Sequence, residues 1–80
     1  MTHYFLHLRD STDEVLDPEG SNFPSFEKLV QAVAAAAREL IAHGALSGEI
    51  DFGYRIEAES EGGVVVHTLS FRDAVKMTNL

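Results

Sequence analysis

Between Phe26 and His43 the apolar positions recur at helical spacing. Phe26, Leu29, Val30, Val33, Ala36, Ala37, Leu40 and Ile41 share one face, and Lys28, Gln31, Ala35, Arg38, Glu39 and Ala42 share the other. Ser25 stands where an N-cap hydroxyl accepts from an early backbone N–H, and Glu27 suits the positive end of the helix. Gly44 follows as a residue free to take a left-handed conformation, so the spacing predicts a helix over 26–43.

On either side the pattern changes to that of strands. His3 to Arg9 is aromatic and apolar without Gly or Pro, and Asp10 to Asp13 supplies turn residues. Glu14 to Asp17 returns as a short second strand, stopped by Pro18 and Gly20, with a loop over 18–24. A connector over 45–53 carries apolar anchors at Leu46, Ile50 and Phe52. Tyr54 to Glu59 then alternates apolar and charged residues, as a half-buried strand does. Ser60-Glu61-Gly62-Gly63 forms a hairpin turn into a partner strand over 64–69. Ser70 and Asp73 resemble a capping box that opens a short helix over 71–76.

The order ββαββ predicts an α+β fold in a single domain over residues 1–80. Its four-stranded, mainly antiparallel sheet carries one long helix on one face, and a short C-terminal helix follows. The long helix is expected to pack on Tyr4, Leu6, Leu8, Ile56, Val65 and Leu69, with Leu40 in the seam. Strand alternation then turns Phe5, Val64 and Val66 to the opposite face, beside His3, His7, Arg9 and Thr68. We take Phe5, His7, Arg9, Val64 and Val66 as the candidate interaction face. Three apolar residues there form a patch that monomers usually avoid, so a homodimer through the open face or the adjoining strand edge is expected. The competing expectation is that the 45–53 connector hides the valines.

Composition narrows the chemistry. Thirteen acidic against six basic residues leave a net charge of −7, which argues against nucleic acid as a partner. The chain has no cysteine, which excludes a disulfide scaffold, a thiolate metal site and a cysteine nucleophile. No uninterrupted apolar run reaches the roughly 20 residues of a bilayer span, and Met1-Thr2-His3 begins no signal peptide. A soluble, cytoplasmic protein without membrane contact is the expectation.

Catalytic and metal readings find little footing. His3 and His7 share a face of the first strand about 13 Å apart, too far to bind one ion, although His67 could approach either across the sheet. The acidic residues between Asp10 and Glu19 lack the alternating order and central Gly of a calcium loop. Gly62-Gly63 follows Glu57, Glu59 and Glu61, which would repel a phosphate. No serine sits in a nucleophile elbow, and Glu57 and Glu59 alternate on the polar side of a strand. The expectation is therefore a non-enzymatic protein with no metal and no cofactor.

Tyr4-Phe5-Leu6-His7-Leu8-Arg9-Asp10 resembles the opening Y-F-F-H-L-R-D-G of a family of short bacterial proteins, a domain of unknown function. Asp17-Pro18-Glu19-Gly20 resembles that family's acidic D-x-E-G stretch, and Ser25 to Ile41 its capped, alanine-rich helix. Leu69-Ser70-Phe71-Arg72-Asp73-Ala74 is similar to its closing L-x-F-x-D-A. Leu6 stands where the family has an aromatic, and Ser11-Thr12 where it prefers Gly. The resemblance implies a fold and brings no activity. A looser similarity, through Phe23-Pro24-Ser25-Phe26 and the acidic turn, is to antitoxins of the HicB type, which sequester a basic toxin. Function is thus expected to be that of a small acidic interaction module, self-associating or binding a protein partner. The alternative is an antitoxin-like protein that holds a basic partner.

Overall fold

The computed structural model describes residues 1–78. Strand β1 (Thr2–Arg9) is followed by two short strands, β2 (Glu14–Val15) and β3 (Ser21–Phe23), and then by helix α1 (Phe26–Ser47). Strands β4 (Arg55–Ser60) and β5 (Val65–Ser70) and the short helix α2 (Phe71–Ala74) complete the order. The sheet runs β2-β1-β4-β5 with every pair antiparallel, and β3 also pairs with β1. The α+β architecture thus stands as the hydrophobic pattern implies. The principal axes measure 42 × 26 × 17 Å, and the shortest leaves room for one helix layer on one sheet and no third layer.

The added strand is β3, which lies where a loop was expected. It pairs Ser21 with Tyr4 and Phe23 with Thr2, while β2 pairs Val15 with Leu8. The two are therefore halves of one edge strand antiparallel to β1. Leu16 to Gly20 lies opposite Phe5 to His7, so the edge strand carries two more residues than its partner and bulges. No local propensity marks Ser21 and Asn22 as strand; pairing with β1 puts them there.

Helix α1 begins as its sequence indicates, with the Ser25 hydroxyl accepting from the Lys28 N–H at 3.1 Å. It ends four residues later than Gly44 suggests. Gly48, at φ 87°, closes it: the Gly48 N–H donates to the Ala45 carbonyl at 3.1 Å and the Glu49 N–H to the Gly44 carbonyl at 2.9 Å. Gly44 serves close approach instead, since a β-carbon there would meet the Glu49 carbonyl oxygen at 2.5 Å. With 22 residues and an 18-residue stretch of mean hydropathy 1.2, α1 is long and apolar enough by composition to cross a bilayer, which the shorter expected helix concealed. In this fold it lies on the sheet.

The buried stripe of α1 is Leu29, Val33, Ala37 and Ile41, each four residues from the next. It packs on Ile56 and Ala58 of β4 and on Phe71 and Ala74 of α2, with Tyr4, Leu6, Leu8 and Leu69 at the margin. The Arg38 Nε–H ties the two helices together by donating to the Ala74 carbonyl at 2.7 Å. Leu40 and Val65 do not join this core. Leu40 is 41% exposed because it sits a quarter turn off the stripe, and Val65 is 43% exposed for a reason that lies in the β5 register. Leu29→Ala is expected to cost roughly 2–5 kcal/mol and Leu40→Ala less than about 1 kcal/mol, as measured by chemical denaturation. Equal losses would mean that the seam runs elsewhere.

Candidate functional site

Alternation along β1 directs His3, Phe5, His7 and Arg9 away from α1. The cross-strand pairs Phe5–Glu59, His7–Glu57 and Arg9–Arg55 put the charged residues of β4 beside them. One end of this face is aromatic. The His3 ring meets Phe5 edge-on at 5.1 Å, and Phe5 lies parallel to His7 at 6.3 Å. The other end is an ion-pair chain, in which Arg9 Nε binds Glu14 at 3.0 Å and Arg9 Nη1 binds the second carboxylate, Glu57. Arg55 Nε reaches the same Glu57 at 2.9 Å. Bonding from Arg55, then from Arg9, holds the Glu57 carboxyl below the usual carboxylate range.

The Leu16–Gly20 bulge folds over the aromatic end and is held there by polar bonds. The Asp17 carboxylate accepts the Leu6 N–H at 3.2 Å, filling the place in the ladder that the bulge vacates, and accepts the Gly20 N–H at 3.0 Å. Partial burial works against the ionised form of Asp17. The N–H donors of Gly20, Leu6 and Glu19 outweigh it and bring the pKa below the ordinary value. Gly20 takes φ 67°, and a β-carbon on it would meet His3 Nε2 and the Tyr4 carbonyl oxygen, both at 2.6 Å. Only glycine lets the bulge press so closely on β1.

Two histidines contact the bulge in different protonation geometries. His7 is buried, its Nδ1 accepting the Asp17 N–H at 3.1 Å and its Nε2 lying 3.3 Å from the Glu59 carboxylate. That pairing requires the tautomer with the proton on Nε2. His3 faces acceptors on both sides, Asn22 Oδ1 and the Glu19 carbonyl, each at 2.7 Å. Both bonds, that to Asn22 foremost, favour the imidazolium and raise the His3 pKa above 6.5.

Of the candidate residues, Phe5, His7 and Arg9 share the open face. Val66 lies at a register shift on β5, where Ala58 pairs with His67 but Glu59 pairs with Val65. The extra residue reverses the expected alternation, so Val65 shares the face of Glu59 and not that of α1. Val64, Val65 and Val66 are 60%, 43% and 38% exposed, so the 45–53 connector does not hide them. His67 turns to the helix side, where it meets Phe26 edge-on at 6.1 Å. It therefore cannot approach His3 or His7, and among the described residues no group of three His, Cys, Asp or Glu is placed to hold a metal ion. The ion-pair chain and the Asp17 bulge escaped the sequence reading. An acidic residue beside Pro18 and Gly20 was the available signal.

Residues 3–72 match a domain of unknown function, DUF6894. The chain belongs to that family. No curated protein and no solved structure matches it. The similarity to HicB-type antitoxins gains no support from these comparisons.

Because the Asp17 carboxyl is held below its free value, its contribution is complete above pH about 4 and is lost as pH falls through the depressed pKa. Asp17→Asn should therefore destabilise by about 1–3 kcal/mol at pH 7 and converge on wild type in strong acid, read by urea denaturation at each pH. For His3 the sign is opposite. Its contribution is full below pH about 6.5 and is lost as pH rises through the raised value. A titration of its ring protons by NMR should give a midpoint above 6.5 that falls in Asn22→Ala, the bond to the Glu19 carbonyl remaining.

Proposed function

We propose that this DUF6894 chain is a non-enzymatic, acidic interaction module that associates with itself. The observation that carries the reading is the exposed apolar run Val64–Val66, at one margin of a sheet whose helix layer covers only the opposite face. The chemistry of the open face supports a non-catalytic role. Each nitrogen of the buried His7 is engaged, Nδ1 by the Asp17 N–H and Nε2 by Glu59, which leaves no lone pair to take a substrate proton. The Glu57 carboxylate is shared between Arg9 and Arg55.

Sedimentation equilibrium at micromolar concentration should give twice the 8.8 kDa chain mass. Added salt should strengthen the association, because each partner carries −7. A single species of chain mass at every concentration would refute self-association.

A further inference from the structure

We infer that two copies of this chain join through the free edge of β5, paired antiparallel to itself, so that two sheets become one. This inference rests on the self-association proposed above and names the surface that performs it.

The sheet has two edges, and they are built differently. On the β2–β3 side the strand is interrupted by the Asp17 bulge, which contains Pro18, and is followed by Pro24. Bulges and prolines are devices by which natural sheets block edge pairing. Among the described residues β5 has a neighbour on one side only, β4. Between Val64 and Ser70 there is no Asp, Glu, Lys, Arg or Pro. In a chain with a net charge of −7, this is a margin along which a second copy can approach without bringing like charges together.

The backbone of β5 is set to receive such a partner. The Phe71 N–H donates to the Tyr54 carbonyl at 3.0 Å, which marks that pair as hydrogen-bonded. Alternation along the ladder makes Ile56–Leu69 and Ala58–His67 hydrogen-bonded as well, and leaves Glu57–Thr68 as the other kind. The N–H and C=O of Thr68 therefore point away from β4, toward the open edge. Apolar surface flanks that edge on both faces of the sheet. Val65 and Val66 lie on the open face, and Phe26, 52% exposed and seated against His67, lies on the helix face. A second copy related by a two-fold axis meets these groups with its own. Stacking two open faces would instead bury the Arg9, Glu14, Arg55 and Glu57 ion pairs, whose desolvation works against association.

The test is sedimentation equilibrium on the full chain with two substitutions, each checked for folding by circular dichroism. Thr68→Pro removes an N–H that the β4 ladder does not use, and should raise the dissociation constant at least about tenfold. Phe5→Ser alters the open face and should leave the constant within about twofold. Amide hydrogen exchange on the wild type gives an independent reading. The Thr68 N–H should be protected at high protein concentration and exposed on dilution, whether or not the proline variant folds. A dimer that Phe5→Ser abolishes, or whose Thr68 exchange ignores concentration, overturns the edge and leaves self-association standing. A monomeric wild type overturns both.

Discussion

An amphipathic helix has one apolar stripe, and in this chain a single long helix serves the whole sheet. Leu29, Val33, Ala37 and Ile41 are drawn into contact with Ile56, Ala58 and Phe71, and nothing comparable is left for the far side. The consequence is a two-layer slab 17 Å across, with one sheet face dry and one wet. The wet face had to be built from groups that satisfy one another in water. Arg9, Glu14, Arg55 and Glu57 do so by ion pairs, worth only a few tenths of a kcal/mol to about 1 kcal/mol each at such exposure. Their service is to keep that face soluble and uniform; the core supplies the stability.

The sheet edges follow from the same economy of elements. A sheet with no third layer exposes both margins, and each margin is an open row of backbone donors and acceptors. On one side the chain folds the Leu16–Gly20 bulge over its own face, and the Asp17 carboxylate takes the place of a strand at the Leu6 N–H. The bulge is held from the other side by His3 and His7, which bond the Glu19 carbonyl and the Asp17 N–H. That margin is closed by polar contacts of one chain with itself. Among the described residues the β5 margin has no such device, and its Val64–Val66 run is exposed. Family membership in DUF6894 covers both margins, since the match runs from residue 3 to residue 72.

Local pattern was enough to place most elements. The stretch from Ser25 through Ile41 is helical because its apolar residues recur at helical spacing behind a capping serine, and both properties lie within a few residues. Tyr54 to Glu59 alternates strictly and is β4 with a shift of one residue. Gly44 misled because glycine has two uses, left-handed backbone and absence of a side chain. The sequence cannot say which, and here Glu49 comes within 2.5 Å of the missing β-carbon while Gly48 ends the helix. Leu40 misled because a wide apolar face on a helical wheel includes residues that the sheet never reaches.

Sequence by itself determined the order of the strands and helices other than β3, the apolar face of α1, the acidic surface and the absence of any thiol chemistry. Each of these is a property of single residues or of neighbours along the chain. Tertiary structure alone decided which residues beyond the regular pattern share a face. The inserted residues at Leu16–Gly20 and at Val65–Val66 each shift a register: the two extra residues of the first keep the alternation, whereas the single one on β5 turns Val65 to the other side of the sheet. Whether a bulge forms depends on hydrogen bonds between segments far apart in sequence, such as Ala58 with His67 or Leu6 with Asp17. That is why the bulge clasped by two histidines, the chain of ion pairs and the exposed Val65 became visible only in the folded chain.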